Sequence, residues 1–176
     1  MKSIILFTSF FCTMFFVSAP VGDMFPDMKG ETVDGKNISI PTDTKGKSTI
    51  VCLAYSDDAE KDLKTWYEPT YNKFIAHTEL MSDAYDINLY FVPMFTGAKS
   101  AAVATAKAKI KQSVQEDIQP HVLIYRGDLD AYKDGLKMDD KTKPYIFVLD
   151  KTGKIVYATS GEYTEDKMDE IEDKIE

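Results

Sequence analysis

The sequence predicts an α/β fold, a mixed central sheet flanked by helices. Three observations carry this. Three apolar runs, Ser48–Tyr55, Ile87–Phe95 and Tyr145–Leu149, are strand-length and rich in β-branched and aromatic residues, as strands buried on both faces must be. Segments of helical period lie between and after them, so crossovers are needed and both sheet faces are covered. Asp34-Gly35 and Asp150-Lys151-Thr152-Gly153 are turn signals that add antiparallel hairpins.

Taken in order, residues 20–36 are a lead-in and a turn, and Glu31–Val33 pairs with Asn37–Ile40 across Asp34-Gly35. Lys45-Gly46-Lys47 turns the chain into the first long strand. Asp57, with Glu60 three residues on, resembles a capping box and starts a helix. Leu63, Trp66, Tyr67, Phe74 and Ile75 fall on its inner side, and Pro69 is expected to kink or break it. After the second strand, Ser100–Glu116 is a helix with Val103, Ala106, Ile110 and Val114 as its apolar stripe. Lys107 borders that stripe, where its stem can lie on apolar surface. His121–Tyr125 is a short strand and Asp128–Leu136 a short helix. Tyr145–Leu149 pairs with Lys154–Thr159. Thr164 caps a last helix with the stripe Met168, Ile171 and Ile175. The order is therefore β-β-α-β-α-(β-α)-β-β-α.

The chain has 176 residues and a net charge of −8. That balance argues against a nucleic-acid binder, which needs clustered Lys and Arg, and against docking on an anionic membrane surface. Residues 1–19 stand apart: one charge, Lys2, then the apolar run Ile4–Val17, then Val17-Ser18-Ala19 as a small-residue cleavage site. This is the pattern of a secretory signal peptide, and the run is shorter than the roughly 20 apolar residues that span a bilayer comfortably. The expected organisation is a signal peptide over 1–19 and one domain over 20–176, exported to a periplasm or secreted, with no membrane association once the signal is removed. Cys12 falls in the signal, so the mature chain keeps only Cys52, which cannot form an internal disulfide.

The matching pieces of a known pattern run along the whole mature chain. Phe25-Pro26 with Asp34-Gly35-Lys36, the stretch Gly46-Lys47 followed by Thr49–Ser56, and Lys143–Asp150 followed by Gly153–Tyr157 and Gly161 together resemble the thioredoxin-like superfamily, in its extracytoplasmic thiol-disulfide oxidoreductase and peroxiredoxin branch. The resemblance implies a three-layer sandwich. It also implies that Pro144 is the counterpart of the family's cis-proline, facing the active site. Where the family opens its first helix with C-x-x-C or a peroxidatic Cys, this chain has Ser56-Asp57-Asp58-Ala59. An alcohol cannot form a mixed disulfide, so dithiol exchange is expected to be absent. A second resemblance is to mitochondrial ATP synthase assembly factors, thioredoxin-like proteins without the cysteine pair. It rests on Ser56–Pro69 with Trp66, on Gly127-Asp128 through Tyr132 and Leu136, and on Tyr145-Ile146-Phe147. It implies that such a fold can serve as a binding or assembly module.

The expected function is accordingly an exported, redox-inactive protein that binds an unidentified protein or peptide partner. Its binding surface would be formed by Tyr55, Ser56, Asp57, Asp58, Lys143 and Pro144, where an extended peptide can meet unpaired backbone groups. No cofactor is expected. The alternative is a one-cysteine thiol oxidoreductase or peroxidase using Cys52, although Cys52 sits inside an apolar strand, where a small core side chain is the simpler reading. Asp57, Asp58 and Glu60 read as helix-start acids. Asp128, Asp130 and Asp134-Gly135 miss the spacing of a calcium loop. His77 and His121 are far apart in sequence, and no metal site is expected. Trp66 reads as core or groove lining.

Overall fold

Seven strands form one sheet in the order β2-β1-β5-β4-β3-β6-β7 in a computed structural model of the chain. The structure describes residues 20–76, 85–96 and 103–175; the expected signal peptide, with Cys12, and also His77 lie outside the described residues. The strands are β1 (Met28–Thr32), β2 (Asn37–Ile40), β3 (Ser48–Ala54), β4 (Ile87–Phe95), β5 (Leu123–Arg126), β6 (Tyr145–Leu149) and β7 (Ile155–Ser160). The helices are α1 (Asp57–Thr65), α2 (Tyr67–Phe74), α3 (Val103–Ser113), α4 (Asp130–Leu136) and α5 (Glu165–Glu172). Among the described residues, no helix is long and apolar enough to cross a membrane.

The three apolar runs are the centre of the sheet. All seven residues of β3 are buried, because it is flanked on both sides: parallel to β4, with Cys52 opposite Phe91, and antiparallel to β6, with Cys52 opposite Ile146. The β4–β5 pair is parallel, and the β1–β2, β1–β5 and β6–β7 pairs are antiparallel. Strand alternation splits the core in two. One face gathers Ile50, Cys52, Leu89, Phe91 and Ile146 against Leu63, Trp66 and Phe74 of the α1–α2 region and Met168 and Ile171 of α5. The other gathers Val51, Leu53, Val92 and Phe147 against Phe25, Met28 and Met138 and Tyr132 and Leu136 of α4. The three-layer sandwich expected from the sequence is the observed architecture.

Local differences have local causes. The cap of α1 is Ser56, not Asp57: its Oγ accepts the Ala59 N–H at 3.1 Å. The helix breaks at Trp66, ahead of Pro69, which sits in the first turn of α2, where a missing N–H costs nothing. Helix α4 starts at Asp130, with the Asp128 carboxylate accepting the Asp130 N–H at 2.9 Å, so Asp128 serves a helix start. Strand β1 begins at Met28, earlier than its turn suggested, because its first residues pair with the end of β2, Met28 opposite Ile40 and Lys29 opposite Ser39. Thr164 caps α5 as expected, accepting the Lys167 N–H at 3.3 Å. Lys107 on α3 reaches Glu31 of β1 at 2.6 Å. Among the described residues the cis peptide is Ile40–Pro41, and Lys143–Pro144 is trans, which corrects the expectation for Pro144.

Candidate functional site

The carboxyl end of β3 and the start of β6 lie side by side, since Leu53 is opposite Tyr145. This register brings Tyr55, Ser56, Asp57, Asp58, Lys143 and Pro144 to one end of the sheet. The structure then shows what their polar groups do. A strap of residues 137–143, between α4 and β6, crosses this end and is held by Tyr55 and Ser56, which were expected to face a partner, and by Tyr145. The Ser56 hydroxyl donates to the Lys141 carbonyl, the Tyr55 hydroxyl to the Met138 carbonyl at 2.6 Å, and the Asp140 N–H to the Tyr145 hydroxyl at 2.7 Å. Ser56 therefore works twice, as helix cap and as anchor of the strap.

Asp140 organises the strap from within. Its carboxylate accepts the N–H and hydroxyl of Thr142 at 2.9 and 2.6 Å and pairs with Lys143 at 3.2 Å. The Thr142 hydroxyl, then the Thr142 N–H and Lys143, hold its carboxyl down to about 2, because each stabilises the charged form. Burial, with the nearby Tyr145, Asp140 and Asp139, pushes the Tyr55 hydroxyl up to about 12. Lys133 lies 5.5 Å from the Tyr55 ring centre, at cation–π distance. Asp58 pairs with Lys61 one turn on, at 2.8 Å. Pro144 is buried, and its carbonyl accepts the Gly161 N–H at 2.9 Å.

Beside the strap lies a groove of about 290 Å³. Leu136, Tyr145, Phe147 and Ala158 give it an apolar floor, and Lys137, Asp139 and Lys143 stand around it. Of the expected residues, only Lys143 lines it. The groove residues on β7 were not legible as a site, because a short strand of ordinary composition gives no signal of what lies next to it.

Cys52 is fully buried in the centre of β3. Burial pushes its thiol far up from the ordinary range, the opposite of what a nucleophilic cysteine needs. The one-cysteine alternative required an accessible thiolate, and this site provides none: the sheet walls it on both sides. Trp66 is also fully buried; its indole N–H donates to the Gly161 carbonyl at 3.0 Å and its ring meets Tyr163 edge-on at 5.5 Å. His121 is partly buried, with Nδ1 3.1 Å from the Leu89 carbonyl. Among the described residues, no cluster of His, Cys, Asp and Glu is arranged to hold a metal.

With this geometry in hand, comparison with known proteins gives the family. The family model described as ATP10 protein matches residues 16–175. The chain belongs to the ATP10 family. No curated protein matches it. Solved structures agree on the fold. A putative DsbE thiol:disulfide interchange protein from Chlorobium tepidum is similar at TM-score 0.56 and 15% identity, over 88% of this chain and 95% of that one. A putative protein disulfide isomerase from Bacteroides thetaiotaomicron is similar at 0.54 and 16%, over 87% and 86%. The exposed lipoprotein thioredoxin Etrx1 of Streptococcus pneumoniae is similar at 0.55 and 17%, over 84% and 99%. At these identities the likeness is one of fold, and the ATP10 chain described here shares with them the thioredoxin-like sheet and its helices.

Proposed function

We propose that this ATP10 family chain is an exported, redox-inactive thioredoxin-like protein that works as a binding or assembly module for another protein. The observation that carries the reading is the use made of position 56. A thiol-disulfide oxidoreductase places there a thiolate that must meet a second sulfur; here a serine hydroxyl is engaged by a helix N–H on one side and a strap carbonyl on the other. The burial of Cys52 supports the same reading. The family match, with the resemblance to ATP synthase assembly factors, supports assembly as the role, and the apolar segment at 1–19 supports export. The strap and the groove beside it are the surface offered to the partner, with Tyr55, Ser56, Asp57, Asp58, Lys143 and Pro144 forming and bracing it.

The test pairs chemistry with capture. Purified protein is assayed for reductase and peroxidase activity while Cys52 is titrated with a thiol reagent. The expected result is no turnover, and labelling only after denaturation. Pull-downs with the native chain should return a partner whose capture weakens in Ser56→Ala and Lys143→Ala variants. Activity that disappears in Cys52→Ser would overturn the reading, as would the absence of any partner above background.

A further inference from the structure

We propose that the open half of β7 is a docking edge for an extended partner segment that alternates basic and apolar residues, and that this segment joins the sheet as an eighth strand. The proposal rests on the binding-module reading and names the chemistry of the partner. At its start β7 is covered: Ile155 exchanges hydrogen bonds with Gly22 (2.8 Å) and Asp23 (2.9 Å), and Met24 bridges to Lys154. A turn at Pro20–Asp23, closed by the Asp23 N–H on the Pro20 carbonyl at 3.2 Å, is the first described part of that cover. From Val156 to Ser160 no strand follows β7 among the described residues.

The direction of the free groups follows from alternation. The Gly161 N–H points to Pro144 at the start of β6, and Tyr145 is opposite Ser160. In an antiparallel pair, successive residues turn their N–H and C=O alternately toward and away from the partner. Ser160 and Ala158 therefore turn theirs outward. The strand Ile-Val-Tyr-Ala-Thr-Ser contains no charged residue and no proline, the guards that ordinarily close an edge.

The two faces beside this edge differ, and that selects the occupant. On one face, Ala158 borders the groove floored by Phe147, Leu136 and Tyr145. On the other, the Tyr157 hydroxyl donates to Glu170 of α5, and Asp166, Glu170 and Asp173 follow at helical spacing as an exposed ridge. Asp166 and Asp173 enter no ion pair among the described residues. Lys167 is turned back onto the Glu162 carbonyl at 2.7 Å, and Lys143 is paired with Asp140. An added strand sends alternate side chains to the two faces. Apolar residues meet the groove, and Lys or Arg residues meet the ridge.

The probe is a fluorescent octapeptide of alternating Lys and Val, read by anisotropy against the purified protein. It should bind saturably. The matched Glu-Val and Lys-Ser peptides should bind at least about tenfold more weakly, as lost charge and lost apolar burial each require. Ala158→Pro removes an outward N–H that the native sheet does not use and should abolish binding. Asp166→Asn with Glu170→Gln, both on an exposed helix face, should weaken it about three- to tenfold, an effect erased by ~0.5 M salt. Hydrogen exchange should show peptide-dependent protection at Ala158 and Ser160. Binding that ignores these variants and protects the strap instead would overturn the edge while leaving the module reading intact. Absence of saturable binding by the Lys-Val peptide would overturn the edge as well, and the module reading would then stand or fall on the Ser56 and Lys143 pull-downs.

Discussion

At one margin of the sheet, β2 is four residues long and runs directly into a short 3-10 helix, Thr42–Thr44, whose Asp43 carboxylate accepts the Ser39 N–H at 2.8 Å. At the other margin, β7 is six residues long, covered by residues 22–25 over its first part and by nothing described over its last. The comparison teaches that a single short acid can close an edge locally. It also shows that the bare stretch is confined to the end of the sheet where the strap and groove also lie.

The largest effect expected from disturbing this contrast comes from behind the open edge. Trp66 holds the Gly161 carbonyl just after β7 and fills the core between α1 and the sheet. Trp66→Ala should cost ~3–5 kcal/mol in chemical denaturation, and β7 amides should lose more protection than those of β2. Next is Gly153, at φ +93° in the β6–β7 turn, where an added Cβ would lie 2.5 Å from the Pro41 Cβ. Gly153→Ala should destabilise by ~2–3 kcal/mol, and the Phe25 N–H bonded to the Gly153 carbonyl should exchange faster. Smaller again is Asp43→Ala, which unguards β2. A loss of ~1 kcal/mol with faster exchange at Ser39 is expected; unchanged exchange there would mean that Asp43 does not close that edge.

Much of this was legible in the sequence, for reasons that can be named. Strands β4 and β6 came out residue for residue, and β3 within one, because continuous apolar runs have no other home in a two-sided sheet. The hairpins followed from Asp34-Gly35 and from Gly153. What escaped depends on groups that sequence pattern does not encode. Ser56, Asp57 and Asp58 are three adjacent cap candidates, and only backbone geometry decides among them. Pro69 looked like a break, yet a first-turn proline is tolerated, so the break moved to Trp66. The strap is held largely through backbone carbonyls of Met138 and Lys141, which every residue possesses. The residues of the expected site do lie together at one end of the sheet, but the hydroxyls of Tyr55 and Ser56 are struts for the strap, and the groove beside it is lined in part by β7.

The smallest predicted effect sharpens the comparison in pH. Asp140 titrates at about 2, below its ordinary 3.8. A depressed folded value means that its support of the strap is fully present above about pH 4 and is lost as pH falls toward 2. Exchange of strap amides, corrected for intrinsic rates, should be flat from pH 8 to 4 and rise below. Asp140→Asn should raise it from pH 8 to 4 and leave it alike in the two proteins as pH falls toward 2, with little change in global stability because the group is exposed.

The double duty of Ser56 bears on what a C-x-x-C pair would meet at this place in the fold. Writing cysteines back at positions 56 and 59 would not recreate an oxidoreductase. The new thiolate would sit where the Lys141 carbonyl now accepts a hydrogen bond from the serine hydroxyl, so an anion would face an oxygen lone pair. The second cysteine would stand at Ala59, which is wholly enclosed, between acids that oppose thiolate formation. A dithiol site at this position would thus need a rebuilt strap as well as two sulfurs, with changes at residues eighty-odd positions away in the chain.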